Sequence, residues 1–204
     1  PEMSRGLGDV YKRQKQYTDM IIAAQKRKEN IAEYLLYMWQ VEDLIRANGL
    51  DIDRIKANVI DKFDLTPDAR KEMVDWYEGL IDMMRREGVE KSGHLQINKN
   101  VLIRLTDLHL ALLKDPRFPQ YTAEFYKTLP FIVELRSKSG EAPAGELETC
   151  FNALYGMLML RLKGKEITPD TANAITQISR FISTLARSYH LDQEGKLFPA
   201  DDAE

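Results

Sequence analysis

The residues most able to do chemistry lie in the first regular apolar segment of the sequence. Glu42 falls within an apolar arc that recurs every three or four residues, so an acid is expected at the edge of the core. Arg46 follows four residues later, the spacing at which two side chains meet on one helix face. The sequence therefore predicts a Glu42 to Arg46 pair, either as a packed ion pair or as the polar anchor of a small-molecule site.

Aromatic side chains accompany this pair along the same segment. Trp39 projects with Leu36 from the arc opposite the one that faces the core. A second apolar face suits either burial within the chain or contact with a partner or ligand. The candidate contact residues are Tyr34, Tyr37, Trp39, Glu42 and Arg46.

Metal chemistry in a helical bundle needs histidines placed close to acids. A carboxylate-bridged di-metal site has an acid three residues before each histidine. The residues three positions before His94, His109 and His190 are Lys91, Thr106 and Arg187, and none of these is an acid. We predict no metal site and no cofactor. His109 is predicted to be a packed, hydrogen-bonded histidine, and His190 a charge partner near the negative end of the last helix.

Nucleophilic catalysis also lacks a recognisable pattern. The sequence contains neither the Gly-x-Ser-x-Gly elbow nor the phosphate-binding loop. Cys150 lies beside an apolar stripe and is predicted to be a small buried hydrophobic residue. No catalytic residue is predicted, and the sequence favours a protein that is not an enzyme.

The composition narrows the class of protein further. Hydrophobic residues make up 44% of the 204 residues and charged residues 30%, a balance that favours a packed core over disorder. The net charge of −3 gives no general attraction to nucleic acid. A single cysteine is typical of a cytoplasmic protein. The longest mostly apolar uncharged run, 149–160, is too short to span a membrane.

The N-terminal residues differ from the rest of the chain. Residues 1–19 show no helical periodicity, and 2–14 resemble a translated adaptor that recurs at the ends of unrelated reading frames. We predict that 1–19 is a non-native, disordered tail. On that interpretation the native start is Met20, and residues 20–204 form a single helical domain.

The body is predicted to consist of helices separated by glycine and proline. Two Thr-Pro-Asp sequences, at 66–68 and 168–170, combine an N-cap hydroxyl, a proline at the first helical position and an early acid. Pro130 predicts a kink or a break near Leu129. The predicted segments are 21–47, 51–63, 67–87, 94–114, 119–138, 145–163 and 169–191.

The fourth segment is apolar on more than one side. Ile103 and Leu110 lie off the stripe that includes Leu102 and Leu105. A helix of this kind is expected at the centre of a bundle. The fold class predicted is all-α, an irregular bundle of about seven helices with no sheet.

One segment also carries a family resemblance. Residues 25–47, QKRKENIAEYLLYMWQVEDLIRA, resemble the opening of an uncharacterised bacterial all-helical family, domain of unknown function 4924. The resemblance extends from about Met20 to the C-terminus and implies a helical body. It implies no activity and supplies no catalytic residues.

The sequence thus favours a non-enzymatic interaction or scaffold module that acts through helix surfaces. Its partner would be another protein or a second copy of the chain, with the first helix as the contact element. No nucleic acid and no membrane span are predicted. The alternative is a small-molecule-binding helical domain with its site near the first helix.

Overall fold

A computed structural model describes residues 19–138 and 144–198 of the chain. These residues form eight α-helices and one short 3-10 helix, and no strand occurs among them. The predicted all-α fold class is therefore confirmed. The predicted tail falls on residues outside the described ranges, apart from Asp19 at the start of the first helix.

The helix boundaries follow the predicted segments closely. The helices are α1 (Asp19–Glu29), α2 (Ile31–Ala47), α3 (Ile52–Asn58), a 3-10 helix (Ile60–Lys62), α4 (Pro67–Arg86), α5 (Gln96–Lys114), α6 (Pro119–Lys138), α7 (Glu146–Leu162) and α8 (Pro169–Gln193). The first predicted segment is divided at Asn30, whose side chain accepts hydrogen bonds from the amides of Ala32 and Glu33. Asn30 therefore acts as the N-cap of α2.

The chain divides into two compact units. Unit 1 contains the described residues up to Lys28 together with 37–98, and unit 2 contains 29–36, 99–138 and 144–198. In unit 1, α4 packs against α3 and the 3-10 helix, and Ile55, Ile60 and Tyr77 are fully buried. The single domain over 20–204 stays a prediction.

Three long helices pack together in unit 2. α8 contacts both α6 and α7. Phe125 of α6 packs against Phe181 of α8, and three residues later Thr128 accepts a hydrogen bond from Gln177, which lies four residues before Phe181. Because residue numbers rise along α6 as they fall along α8, these two helices are antiparallel.

Both Thr-Pro-Asp sequences start helices as predicted. The Thr66 side chain accepts a hydrogen bond from the amide of Ala69, and the Thr168 side chain accepts one from the amide of Thr171. Each hydroxyl satisfies an amide that has no partner within its own helix. These caps therefore fix where α4 and α8 begin.

A Thr168→Ala substitution is expected to lower the free energy of unfolding by about 1 kcal/mol, since it removes the N-cap of α8. The measurement is urea denaturation followed by circular dichroism. Thr176→Ala is the matched control, because Thr176 is exposed within the same helix and alanine is the better helix former there. A loss of equal size at both positions would contradict a capping role for Thr168.

Two features of the helix interiors differ from what the sequence suggested. Of the kink or break predicted near Leu129, the break does not occur, because α6 continues through Pro130 to Lys138, and the kink stays a prediction. The fourth segment, now α5, does not have an all-buried surface, since Ile103 and Leu110 are 53% and 45% exposed. Its second apolar side faces solvent in this chain.

Candidate functional site

The Glu42 carboxylate is the centre of a polar cluster in unit 1. Glu42 is fully buried, and its two oxygens accept three hydrogen bonds. The amide of Leu95 donates to Oε1 at 2.9 Å, and the Asn98 side chain donates to the same oxygen at 2.6 Å. His94 Nδ1 lies 2.6 Å from Oε2. The carboxylate thus fastens the start of α5 to the middle of α2.

The imidazole of His94 is held on two sides. Its Nδ1 shares a hydrogen bond with Oε2 of Glu42. Its ring stacks on Trp39 with centroids 4.1 Å apart and planes 12° apart. The His94 side chain is 29% exposed, whereas Trp39 is 3% exposed. Trp39 therefore packs within unit 1 and is not an exposed contact residue in this chain.

The predicted Glu42 to Arg46 pair does not form, since the two side chains take different partners. Arg46 forms a salt bridge with Asp43 at 2.8 Å. It also donates to the backbone carbonyl groups of Val89, at 3.1 Å, and Gly93. Its guanidinium therefore holds the chain segment before α5, a structural role parallel to that of Glu42.

The five candidate residues from the sequence are divided between the two units. Tyr34 is buried in unit 2, whereas Tyr37, Trp39, Glu42 and Arg46 belong to unit 1. Within unit 1, Trp39 and Glu42 both contact His94. A ligand would have to displace these internal contacts in order to reach Glu42.

A separate groove of about 620 Å³ opens in unit 1 between the end of α2 and α4. Asp51, Glu78, Asp82 and Arg85 supply its polar wall. Arg85 donates to the carbonyl of Leu50 at 3.0 Å and so links the two sides. None of the five candidate residues lines this groove. Its wall is mainly acidic.

A second polar cluster lies inside unit 2. His109 is 1% exposed, and its Nδ1 lies 2.7 Å from the hydroxyl of Tyr121. Phe125 and Phe181 pack edge-on against the imidazole. Burial lowers the pKa of His109 to about 4, so the ring is neutral at pH 7. The structure confirms the predicted packed, hydrogen-bonded histidine.

The second ring nitrogen of His109, Nε2, lies 3.8 Å from a carboxylate oxygen of Glu146. When the Tyr121 hydroxyl donates to Nδ1, the ring proton lies on Nε2. Burial raises the pKa of Tyr121, and the nearby Cys150 raises it further. His109 and Tyr121 are both buried, and both are neutral at pH 7.

Cys150 is confirmed as a buried core residue. It is fully buried, and burial together with the nearby Glu146 raises the pKa of its thiol to about 12. The thiolate, which is the nucleophilic form, is therefore scarce at neutral pH. Cys150 is a packing residue.

We expect Cys150 in the native protein to react with a disulfide reagent at pH 8 at least about 100-fold more slowly than in urea. The two rates are compared by the absorbance of the released thiolate, and free glutathione supplies the reference rate. Equal rates in native and unfolded protein would show that the thiol is accessible.

An uncharged row of side chains lies on the outer face of α6, opposite the buried face of that helix. It consists of Ala123, Tyr126, Pro130 and Val133, which we call the α6 row; all four are exposed, Tyr126 by 62% and Val133 by 55%. The buried face carries Tyr121, Phe125, Thr128 and Ile132. Because Pro130 has no amide proton, the carbonyl of Tyr126 has no helical donor four residues on. Large apolar side chains exposed in a row on one helix are typical of a contact surface.

Sequence reasoning found Glu42 and missed its partners. His94, Leu95 and Asn98 lie more than fifty positions further along the chain, and no local pattern connects them with Glu42. The α6 row was missed although its spacing of three, four and three residues is visible in the sequence. A break at Pro130 would divide that spacing between two elements.

The described part of the chain lacks two further features. No helix there is long and apolar enough to cross a bilayer. No group of three or more histidine, cysteine or acidic side chains in those ranges is placed to hold a metal ion.

The fold and these clusters define an all-α protein whose buried ionisable groups are held by internal contacts. More particularly, the chain belongs to the family described as Domain of unknown function (DUF4924), whose model matches residues 20–196. This match confirms the resemblance seen at residues 25–47. No curated protein and no solved structure matches the chain.

Proposed function

We propose that this protein is a non-enzymatic interaction module that acts through a helix surface. The observation that carries the proposal is the α6 row, in which Tyr126 and Val133 are more than half exposed on an uncharged stripe. Exposed apolar area of this kind gains free energy when a partner removes it from water.

The internal clusters support the same proposal. Glu42 and Arg46 are occupied by backbone and side-chain donors and acceptors within unit 1. His109 and Cys150 are buried, and the direction of each pKa shift disfavours the charged form. Acid-base or nucleophilic catalysis would need such a group to be exposed to a substrate. Function is therefore better placed at the surface.

We propose α6, and not the first helix, as the contact element. The sequence assigned contact to α2 because Leu36 and Trp39 lie on its second face. Trp39 is occupied by its stack on His94, and Leu36 is half-buried. Tyr126 and Val133 offer a larger exposed fraction on one face of a single helix.

Site-specific photocrosslinking tests the proposal in cells that express the full chain. A benzophenone side chain at position 126 is expected to give a discrete crosslinked product, and Val133→Ser is expected to reduce it. The matched control places the benzophenone at Ser183, which is exposed on α8. Absence of a product from position 126, or equal products from both positions, would refute a contact surface on α6.

The alternative of a small-molecule-binding domain is favoured by the groove beside α2. Its wall contains Asp51, Glu78 and Asp82, so the ligand class it suits is an organic cation. Titration calorimetry with spermine at low salt tests this alternative, and a Glu78→Gln/Asp82→Asn variant serves as the comparison. Equal heats for the two proteins would reject the groove as a binding site.

A further inference from the structure

We infer that the partner of the α6 row is a second copy of this chain, packed antiparallel against the same row. The inference rests on the proposed function and names the partner that it requires. Its basis is the spacing of the row and the position of two charges beside it.

The row has the spacing of a helix-helix seam. Ala123, Tyr126, Pro130 and Val133 are separated by three, four and three residues, and Ser137 continues the pattern four residues later. Alternating steps of three and four place side chains along one line of a helix that faces another helix. α6 therefore presents a seam of about four turns.

Two opposite charges flank the seam on the same side. Lys127 follows Tyr126, and Glu134 follows Val133, so each charge comes directly after a seam residue and the two are seven residues apart. In an antiparallel pair of identical helices, side chains at equivalent flanking positions face each other. Lys127 of one copy then faces Glu134 of the second copy, and the two-fold axis repeats the pair.

The antiparallel direction is selected by the same charges. In a parallel pair, this flank would face the opposite flank of the second copy, where Thr122 and Leu129 are uncharged. Only the antiparallel arrangement matches each charge with its opposite. It also brings the two Pro130 residues near the axis.

Both charges are available for such a pair. Lys127 is exposed and forms no ion pair within the described ranges. Glu134 is paired with Lys138 at 2.6 Å, but both side chains are more than half exposed. An exposed pair of this kind contributes little to stability, so Glu134 can change partners at small cost.

The small size of the row predicts a weak dimer. A seam of four or five side chains from one helix gives less than about 1,200 Å² of total buried surface, the range of transient complexes. Self-association should therefore depend on concentration and weaken as salt screens the paired charges.

Sedimentation equilibrium of the full chain at several concentrations tests the inference through charge exchange. Lys127→Glu and Glu134→Lys each create two like-charge contacts and should weaken dimerisation on the order of tenfold, about 1.4 kcal/mol. The double variant Lys127→Glu/Glu134→Lys should restore it. An equimolar mixture of the two single variants should also associate, because the acidic flank of one variant then faces the basic flank of the other.

Three results would overturn the inference: a wild-type monomer at every concentration, unchanged dimerisation in the single variants, or no restoration in the double variant. Both positions are exposed, so circular dichroism should confirm that every variant is folded. If the wild type is a monomer but position 126 still crosslinks to another protein, the dimer inference is wrong and the proposed function is retained. If position 126 gives no crosslink at all, the dimer inference and the proposed function are both wrong.

Discussion

Replacing Glu42 with Gln is expected to lower the free energy of unfolding of unit 1 by about 3 kcal/mol. The amide retains one acceptor oxygen, but its nitrogen is a donor and would face either His94 Nδ1 or the donors on the other side. The amide of Leu95 and the side chain of Asn98 share Oε1, so both keep an acceptor only when the new NH2 group faces His94. His94 Nδ1 then loses its carboxylate partner and must take its other tautomer to keep a hydrogen bond.

Tryptophan fluorescence during urea denaturation measures this loss. Both tryptophans, Trp39 and Trp76, belong to unit 1, so the signal reports on that unit. Trp39 stacks on His94 and is therefore close to the substituted group. Its emission should also shift to the red in the folded variant if the stack loosens.

Asp43→Asn on the same helix is the matched control for Glu42→Gln. The Asp43 side chain is 50% exposed and pairs with Arg46, so its loss should cost less than about 1 kcal/mol. If the two substitutions lower the free energy of unfolding by similar amounts, the buried cluster stabilises unit 1 no more than a surface ion pair does.

Local sequence patterns predicted the helices because their signals are local. The caps at Thr66 and Thr168 and the apolar spacing between them depend on residues within one or two turns. The burial of Glu42 was also predictable, since its position in the apolar arc is a property of α2 alone. Its bonding partners were not, because they depend on how distant segments pack.

The error at Arg46 has the same physical cause. A spacing of four residues permits a pair on one helix face, but it does not exclude stronger partners from elsewhere. The Arg46 guanidinium is bound by the backbone carbonyl groups of Val89 and Gly93 and by Asp43. Glu42 accepts its hydrogen bonds from residues at the start of α5 instead. Competition between local and distant partners decides such pairs.

The exposed sides of α5 and α6 were misjudged because hydrophobicity alone does not specify burial. Ile103 and Leu110 have the residue types of a core and yet lie on the surface. Tyr126 and Val133 share that property on α6. Apolar residues beyond the core stripe are therefore the sequence signal on which the proposed contact surface rests.

The stability of unit 2 is expected to fall as the pH is lowered from about 6.5 to about 4, because of His109. The ordinary pKa of 6.5 applies when the chain is unfolded, whereas burial lowers the folded pKa to about 4. The unfolded chain therefore binds the proton first, and acid favours unfolding. Above pH 6.5 this contribution is constant, and below pH 4 its loss is complete.

The expected loss from His109 is about 3 kcal/mol between pH 7 and pH 4, the free energy of a shift of this size. Glu146, 3.8 Å from Nε2, would favour the charged ring, while Tyr121 and Cys150 are neutral in this range. Urea denaturation followed by circular dichroism, with hydrogen exchange in α5 and α6, measures the loss in unit 2.

A His109→Gln variant isolates this contribution, because glutamine can accept the Tyr121 hydroxyl but does not titrate. The variant should lose about 3 kcal/mol less than the wild type over the same pH range, although it starts from a lower stability at pH 7. His190→Gln is the control: it removes an exposed histidine and keeps His109, so the loss between pH 7 and pH 4 should remain. If His109→Gln and the wild type lose stability in parallel as the pH falls, the buried imidazole is not what destabilises unit 2 in acid.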